Sequence, residues 1–195
     1  FVDLIRVVVL DLSYNRLARI NTYTFQSQYS LQILFLNNNE IEFIEDNAFS
    51  SLYNLDTLIL SSNKLKHLNS FTFNGLYVLS SLSLSFNELN SLDQDCFKNC
   101  SSLQDLHLSN NLFTSIPSAI TNLRNLRSLS LNDNLIGDID NESHLNLQYL
   151  VSLNFSGNSI SNISRENLRD LVSLKKLDLS NNMLRKLEPG TFDDA

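Results

Sequence analysis

Apolar side chains recur along this chain in one fixed order: an aliphatic, two variable positions, an aliphatic, one variable, an aliphatic, two variable, an asparagine, one variable, and a last aliphatic. The order can be laid down eight times, beginning at Val7, Leu31, Leu55, Leu79, Leu103, Leu126, Leu150 and Leu174. Six of the seven intervals are 24 residues, and the one from Leu103 to Leu126 is 23. The asparagine is present every time, as Asn15, Asn39, Asn63, Asn87, Asn111, Asn134, Asn158 and Asn182. Further on in each copy stands another aliphatic: Ile20, Ile44, Leu68, Leu92, Ile116, Ile139, Ile163 and Leu187. A register of this kind means that each copy is one supersecondary unit that buries its apolar face only against its neighbours.

The pattern predicts an α/β solenoid. Each L-x-L segment alternates with a period of two, so it reads as a short strand with its leucines turned inward. Successive strands stack in parallel at roughly 4.8 Å, giving a curved horseshoe with the sheet on its concave face. The asparagines sit where the chain leaves the strand, and their amides are expected to satisfy backbone groups inside the turn as a ladder. The return segments carry F-x-x-L, with Phe25, Phe49, Phe73 and Phe97 at the first position. These rings should stack along a convex wall of mostly irregular or short-helical segments. Between Pro117 and Leu168 the wall should differ, because His144 and Leu168 take the Phe place and the short fifth copy uses Ile116, Pro117, Ile120 and Leu123; Phe192 then restores it. The chain reads as a single array over residues 1–195, opening at Phe1 inside the tail of one repeat and closing at Ala195 inside another. No cysteine-rich caps are seen in it, so it reads as a segment of a longer array.

Composition narrows the function classes. A net charge of −7 argues against nucleic acid, which needs a concentrated basic surface. Eight of the fourteen Lys and Arg nevertheless lie from Arg124 onward, including the pairs Lys175-Lys176 and Arg185-Lys186. A polar repeat surface produces such clusters readily; a functional basic patch is the sharper alternative. The longest purely apolar run is Val7 to Leu10, far short of the roughly 20 residues of a membrane helix.

The 24-residue period with its F-x-x-L tail resembles the extracellular class of leucine-rich repeats. Within that class, the stretch from Phe73 to Leu79 (FNGLYVL), the tail from Cys96 to Leu103 (CFKNCSSL) and the shortened repeat from Phe113 to Pro117 (FTSIP) resemble Toll-type receptor ectodomains, most closely the insect long Toll receptors of the 18-wheeler and Tollo group. Cys96, an extra cysteine beside the usual one, and His144 depart from the pattern. The resemblance implies a single-pass receptor whose repeats lie on the extracellular side of the plasma membrane. It implies roles in innate immunity and development. The implied partners are a Spätzle-like cystine-knot cytokine or another cell-surface protein, and receptor dimerisation belongs to the same picture. Other extracellular repeat proteins of adhesion, matrix or guidance, and an intracellular repeat scaffold, are the alternatives; a true helix in the return segments would favour the scaffold.

A solenoid binds through its strand face, where the middle x of each L-x-L is Asp11, Phe35, Ile59, Ser83, His107, Ser130, Asn154 and Asp178. Phe35 and Ile59 are neighbours, with Ile33 beside them and Tyr14 and Phe86 at strand exits; these five and His107 form the candidate ligand-binding set. The cluster reads equally as an interaction site or as lateral packing along the sheet. His107 between two serines invites a hydrolase reading, but Asp105 on the same strand is badly placed to orient it, so no catalytic residue is assigned. His67 and His144 are read as lying in turns and return segments. No cofactor, small-molecule substrate or metal is expected, since the acidic run from Asp138 to Glu142 lacks the ligand order of a calcium loop. Cys96 and Cys100 read first as two reduced buried thiols, although an extracellular setting favours pairing. Sequons at Asn99, Asn141, Asn154 and Asn162 are candidate glycosylation sites.

Overall fold

Each L-x-L segment forms a strand of three residues, because that is as long as the alternation lasts before the asparagine turn begins. A computed structural model describes residues 4–137, 139 and 145–193. In it, β1 (Val9–Asp11), β3 (Ile33–Phe35), β5 (Thr57–Ile59), β7 (Ser81–Ser83), β9 (Asp105–His107), β10 (Ser128–Ser130), β11 (Ser152–Asn154) and β12 (Lys176–Asp178) make one parallel eight-stranded sheet in chain order. The central leucine of every strand faces the core. From Leu34 to Leu153 these leucines are at most 1% exposed. The fold is therefore a leucine-rich-repeat solenoid with its core between the sheet and the return segments.

From Asn39 to Asn182 the asparagine ladder is complete in its bonding. Asn87 donates from Nδ2 to the carbonyl of Leu60 one turn back (3.1 Å) and of Leu84 in its own turn (3.0 Å), while its Oδ1 accepts the Leu65 N–H (3.1 Å). Asn39, Asn63, Asn111, Asn134, Asn158 and Asn182 repeat the arrangement, each reaching back to the preceding repeat. One side chain thus joins two turns of backbone that no strand partner satisfies. Asn15 bonds only within its own turn, to Leu12 and Ser13, and stays exposed.

Opposite the sheet, Phe25, Phe49, Phe73 and Phe97 are buried and stack at centroid separations of 6.0, 6.4 and 5.7 Å. Offset stacking at this distance adds to the area each ring buries. The wall changes as anticipated: a single-turn 3-10 helix at Ser118–Asn122 brings in Ala119 and Ile120, and the four-residue α1 (Arg165–Leu168) brings in Leu168. His144 lies outside the described residues. Phe192 stands 45% exposed rather than buried like the other four rings.

A third wall was not anticipated. β2 (Arg19–Ile20) pairs with β4 (Phe43–Ile44), and β6 (His67–Leu68) pairs with β8 (Ser91–Leu92). In the first four repeats the recurrent aliphatic beyond the asparagine turn (Ile20, Ile44, Leu68, Leu92) thus belongs to one of two small sheets, and His67 stands in a strand rather than a turn. The outward residues brace one another, Arg19 lying over the Phe43 ring at 5.3 Å.

Replacing Asn87 with Ala strands the buried Leu65 N–H and takes one of two asparagine donors from each of the Leu60 and Leu84 carbonyls, which keep Asn63 and Asn111, and should destabilise the fold by about 2 kcal/mol. Asn15→Ala should cost less than about 1 kcal/mol, because water replaces its bonds. Urea titrations of the two variants, followed by circular dichroism, compare them; equal losses would contradict the ladder's role.

Candidate functional site: the sheet face and strand exits

The register lines the outward residues into rows. In one row Phe35 lies opposite Ile59 and Asp11; in the next, Ile33 lies opposite Val9 and Thr57. Ile33, Phe35 and Ile59 are thus brought together, and Val9, 50% exposed, extends the patch. Val9 was missed because it falls within an apolar run that reads as core; following its column to Ile33 and Thr57 would have found it. Phe35 and Ile59 are only half-exposed, since each covers its neighbour along the sheet. His107 sits two strands beyond Ile59, between Ser83 and Ser130, and the face is polar from β7 onward.

Tyr14 and Phe86 lie elsewhere and for another reason. In the first seven repeats the residue before the ladder asparagine sends its N–H to the next repeat, as from Tyr14 to Asn37 O (3.0 Å), Ser62 to Ser85 O (2.9 Å) and Phe86 to Ser109 O (2.9 Å). The backbone there is left-handed, with φ of 54° at Tyr14, 53° at Asn38, 57° at Ser62 and 55° at Phe86; Asn110, Asp133, Gly157 and Asn181 are alike, Asn181 without a bond to a following repeat among the described residues. Six of these eight places hold the small polar residues or glycine that tolerate it. Tyr14 and Phe86 are bulky, 79% and 57% exposed, and so recover little of the strain through burial. Three repeats separate them, so they flank the Phe35–Ile59 patch from either side along the array.

A Ser–His–Asp constellation occurs away from His107. His67 Nδ1 lies 2.9 Å from Ser91 Oγ, and its Nε2 lies 3.3 Å from Asp93 Oδ1. Nucleophilic catalysis needs the serine proton aimed at the ring and a carboxylate shielded from water. Here Ser91 Oγ donates to Asn90 Oδ1 at 3.0 Å, and the His67 and Asp93 side chains are 49% and 43% exposed. The group ties β6 to β8 and has the surroundings of a surface contact. Among the described residues no cluster of three or more metal-ligating side chains occurs; of the acidic run, Asp138 and Asp140 to Glu142 lie outside them.

Cys96 and Cys100 are free and buried. Burial, with Cys100 and Asp93 nearby, pushes the Cys96 thiol well above its ordinary range, and burial pushes Cys100 up to about 12. Among the sequons, Asn99 is half-buried and spends its Nδ2, the atom a glycan needs, on Asn74 Oδ1. Asn154 instead holds its Oδ1 against the Ser156 N–H (2.9 Å) and hydroxyl (2.8 Å), leaving Nδ2 without a partner among the described residues. Asn162 is exposed, and Asn141 lies outside the described residues.

Matches to the leucine rich repeat family cover residues 5–65, 53–113, 77–136, 124–184 and 148–195. The chain belongs to that family. Its structure is similar to that of TLR13 in a complex with ssRNA13, with a TM-score of 0.80 and 28% identity over 90% of this chain and 28% of that one. It is similar in fold to Toll in the Drosophila Toll–Spatzle complex, with a TM-score of 0.78 and 23% identity over 97% of this chain and 29% of that one. Internalin C2 of Listeria monocytogenes gives a TM-score of 0.76 and 28% identity over 94% of this chain and 75% of that one. The repeats are thus of the kind seen in Toll-type ectodomains, and the chain spans less than a third of the two Toll-type chains. No curated protein matches the sequence. With 403 solved chains sharing the fold, the fold alone selects no ligand.

Two outcomes follow from the geometry. Chromogenic disulfide reagents should leave both cysteines unmodified in the native chain and titrate two thiols after denaturation; fewer than two would mean a bridge. Mass spectrometry of protein secreted from insect cells should find glycan at Asn154 and none at Asn99, and a glycan at Asn99 would contradict the Asn74–Asn99 bond.

Proposed function

We propose that this chain is a non-catalytic, protein-binding segment of a Toll-type receptor ectodomain, related to the insect long Toll group and displayed on the extracellular side of the plasma membrane. Its partner is a protein: a Spätzle-like cystine-knot cytokine or another cell-surface protein, in innate immune or developmental signalling. The observation that carries the reading is the pair of exposed aromatics in left-handed backbone, Tyr14 and Phe86, on either side of the apolar patch of Val9, Ile33, Phe35 and Ile59. Strain that folding does not recover concentrates at binding sites, and aromatic anchors around an apolar centre dominate protein interfaces.

The return segments support an extracellular repeat over an intracellular scaffold. Among the described residues their only α-helix is the four-residue α1, and the rest are turns and one 3-10 turn. TLR13 is seen with RNA; in this chain the net charge of −7 and the apolar patch on the sheet face argue for protein instead.

Tyr14→Asn and Phe86→Asn separate binding from folding. Asn tolerates the left-handed backbone, so each substitution should relieve about 1 kcal/mol and raise Tm by about 2 °C or more. In surface plasmon resonance against a purified Spätzle-type cystine-knot dimer, the double variant should bind at least tenfold more weakly. Unchanged affinity in a more stable protein would sink the assignment of these residues.

A further inference from the structure

Beside the sheet, where the return segments of the fifth, sixth and seventh repeats run into their strands, two hollows share one wall. The first, about 330 Å³, is lined by Ser102, Gln104, Asn125, Arg127 and Tyr149. The second, about 220 Å³, is lined by Arg124, Asn146, Gln148 and Tyr149. Tyr149 stands between them, 59% exposed. The repeat register explains the convergence. Arg124 and Gln148 occupy one phase of successive repeats, Asn125 and Tyr149 the next, and Gln104 and Arg127 the position after the first template leucine.

The chemistry of these walls is unusual for this chain. The protein carries a net charge of −7, yet no carboxylate lines either hollow and each contains an arginine. Neither Arg124 nor Arg127 has an ion-pair partner among the described residues, whereas Lys64, Arg169 and Lys186 each have one. Asn125 is held in place by donating its Nδ2 to the Ser101 carbonyl (2.8 Å), which leaves its Oδ1 as an acceptor. Gln104, Asn146 and Gln148 are exposed, and each amide offers both a donor and an acceptor.

We propose that these adjoining hollows bind an acidic saccharide, a sugar chain bearing sulfate or carboxylate groups. A guanidinium fork pairs with a sulfate or carboxylate through two parallel hydrogen bonds. Paired amides match the vicinal hydroxyls of a pyranose, which also both donate and accept. The Tyr149 ring gives an apolar face for the sugar's C–H surface, with its hydroxyl left in water. The first hollow has the size of a small-ligand site. RNA fits less well, because backbone binding needs a basic track and here the basic groups sit at two points among neutral amides. The site lies on the flank rather than among the sheet-face aromatics, so it stands independently of the protein-binding reading.

The test is titration calorimetry at physiological salt with a sulfated heparin hexasaccharide, its fully desulfated counterpart, and a single-stranded RNA of matching charge. The sulfated hexasaccharide should bind, and the desulfated one at least tenfold more weakly. Tyr149→Ala should weaken binding about tenfold and Arg124→Ala/Arg127→Ala should abolish it, with Tm unchanged because all three side chains are exposed. Lys175→Ala/Lys176→Ala, removing two charges farther along the array, should change affinity less than threefold. The proposal is overturned if the hexasaccharide does not bind, if Tyr149→Ala has no effect, if the lysine pair matters as much as the arginine pair, or if RNA binds as tightly as the saccharide. If Tyr149→Ala lowers Tm, Tyr149→Phe should retain binding, and loss of binding in that variant would equally overturn the stacking role.

Discussion

A buried backbone carbonyl must find a donor, and in this protein the donor is an asparagine amide borrowed from the next turn. Every repeat ends its strand after three residues, too early for sheet pairing to satisfy the backbone that follows. Asn39, Asn63, Asn87, Asn111, Asn134, Asn158 and Asn182 each close the gap by bonding forward to their own turn and backward to the one before. The rest of the architecture depends on this. It sets the spacing at which leucines stack and brings the phenylalanine rings into contact.

The same bonding creates the strain at the strand exits. The backbone before each asparagine turns left-handed where the asparagine amide folds back onto its own turn, and in the first seven repeats the N–H there passes to the following repeat. Most repeats meet that demand with Asn, Ser, Asp or Gly. Tyr14 and Phe86 do not, and their rings lie mostly in solvent. Stability and recognition therefore pull against each other at these two positions, while at Phe35 and Ile59 they pull together, because lateral packing half-covers both side chains. The Phe35–Ile59 patch and the arginine-bearing flank consequently differ in kind: one is apolar and partly structural, the other polar and lined by exposed side chains.

Much of the fold was legible in the chain. The strand positions, the ladder and the stacked rings follow from a period that holds at 24 residues in six of seven intervals, since identical spacing forces identical stacking. The small sheets of β2 with β4 and β6 with β8 were not legible, because two-residue strands have no alternation to read. The sequence leaves the exposure of Phe35 and Ile59 open between interaction site and lateral packing for a related reason. An outward position on a strand is known from parity, but how far its neighbour on the adjacent strand covers it depends on both side chains. The Ser91–His67–Asp93 group likewise joins residues 24 and 26 apart through pairing that no local pattern announces.

The sequence by itself determined the repeat, its register and the family, because each rests on a constraint that recurs at every turn and so is written eight times. Tertiary structure alone decided which outward groups meet, which sequon amide is already engaged, as at Asn99, and where two arginines stand without carboxylates beside them. Those outcomes depend on side chains from different repeats brought within hydrogen-bonding distance. Such distances are set by stacking, which the spacing implies but does not measure.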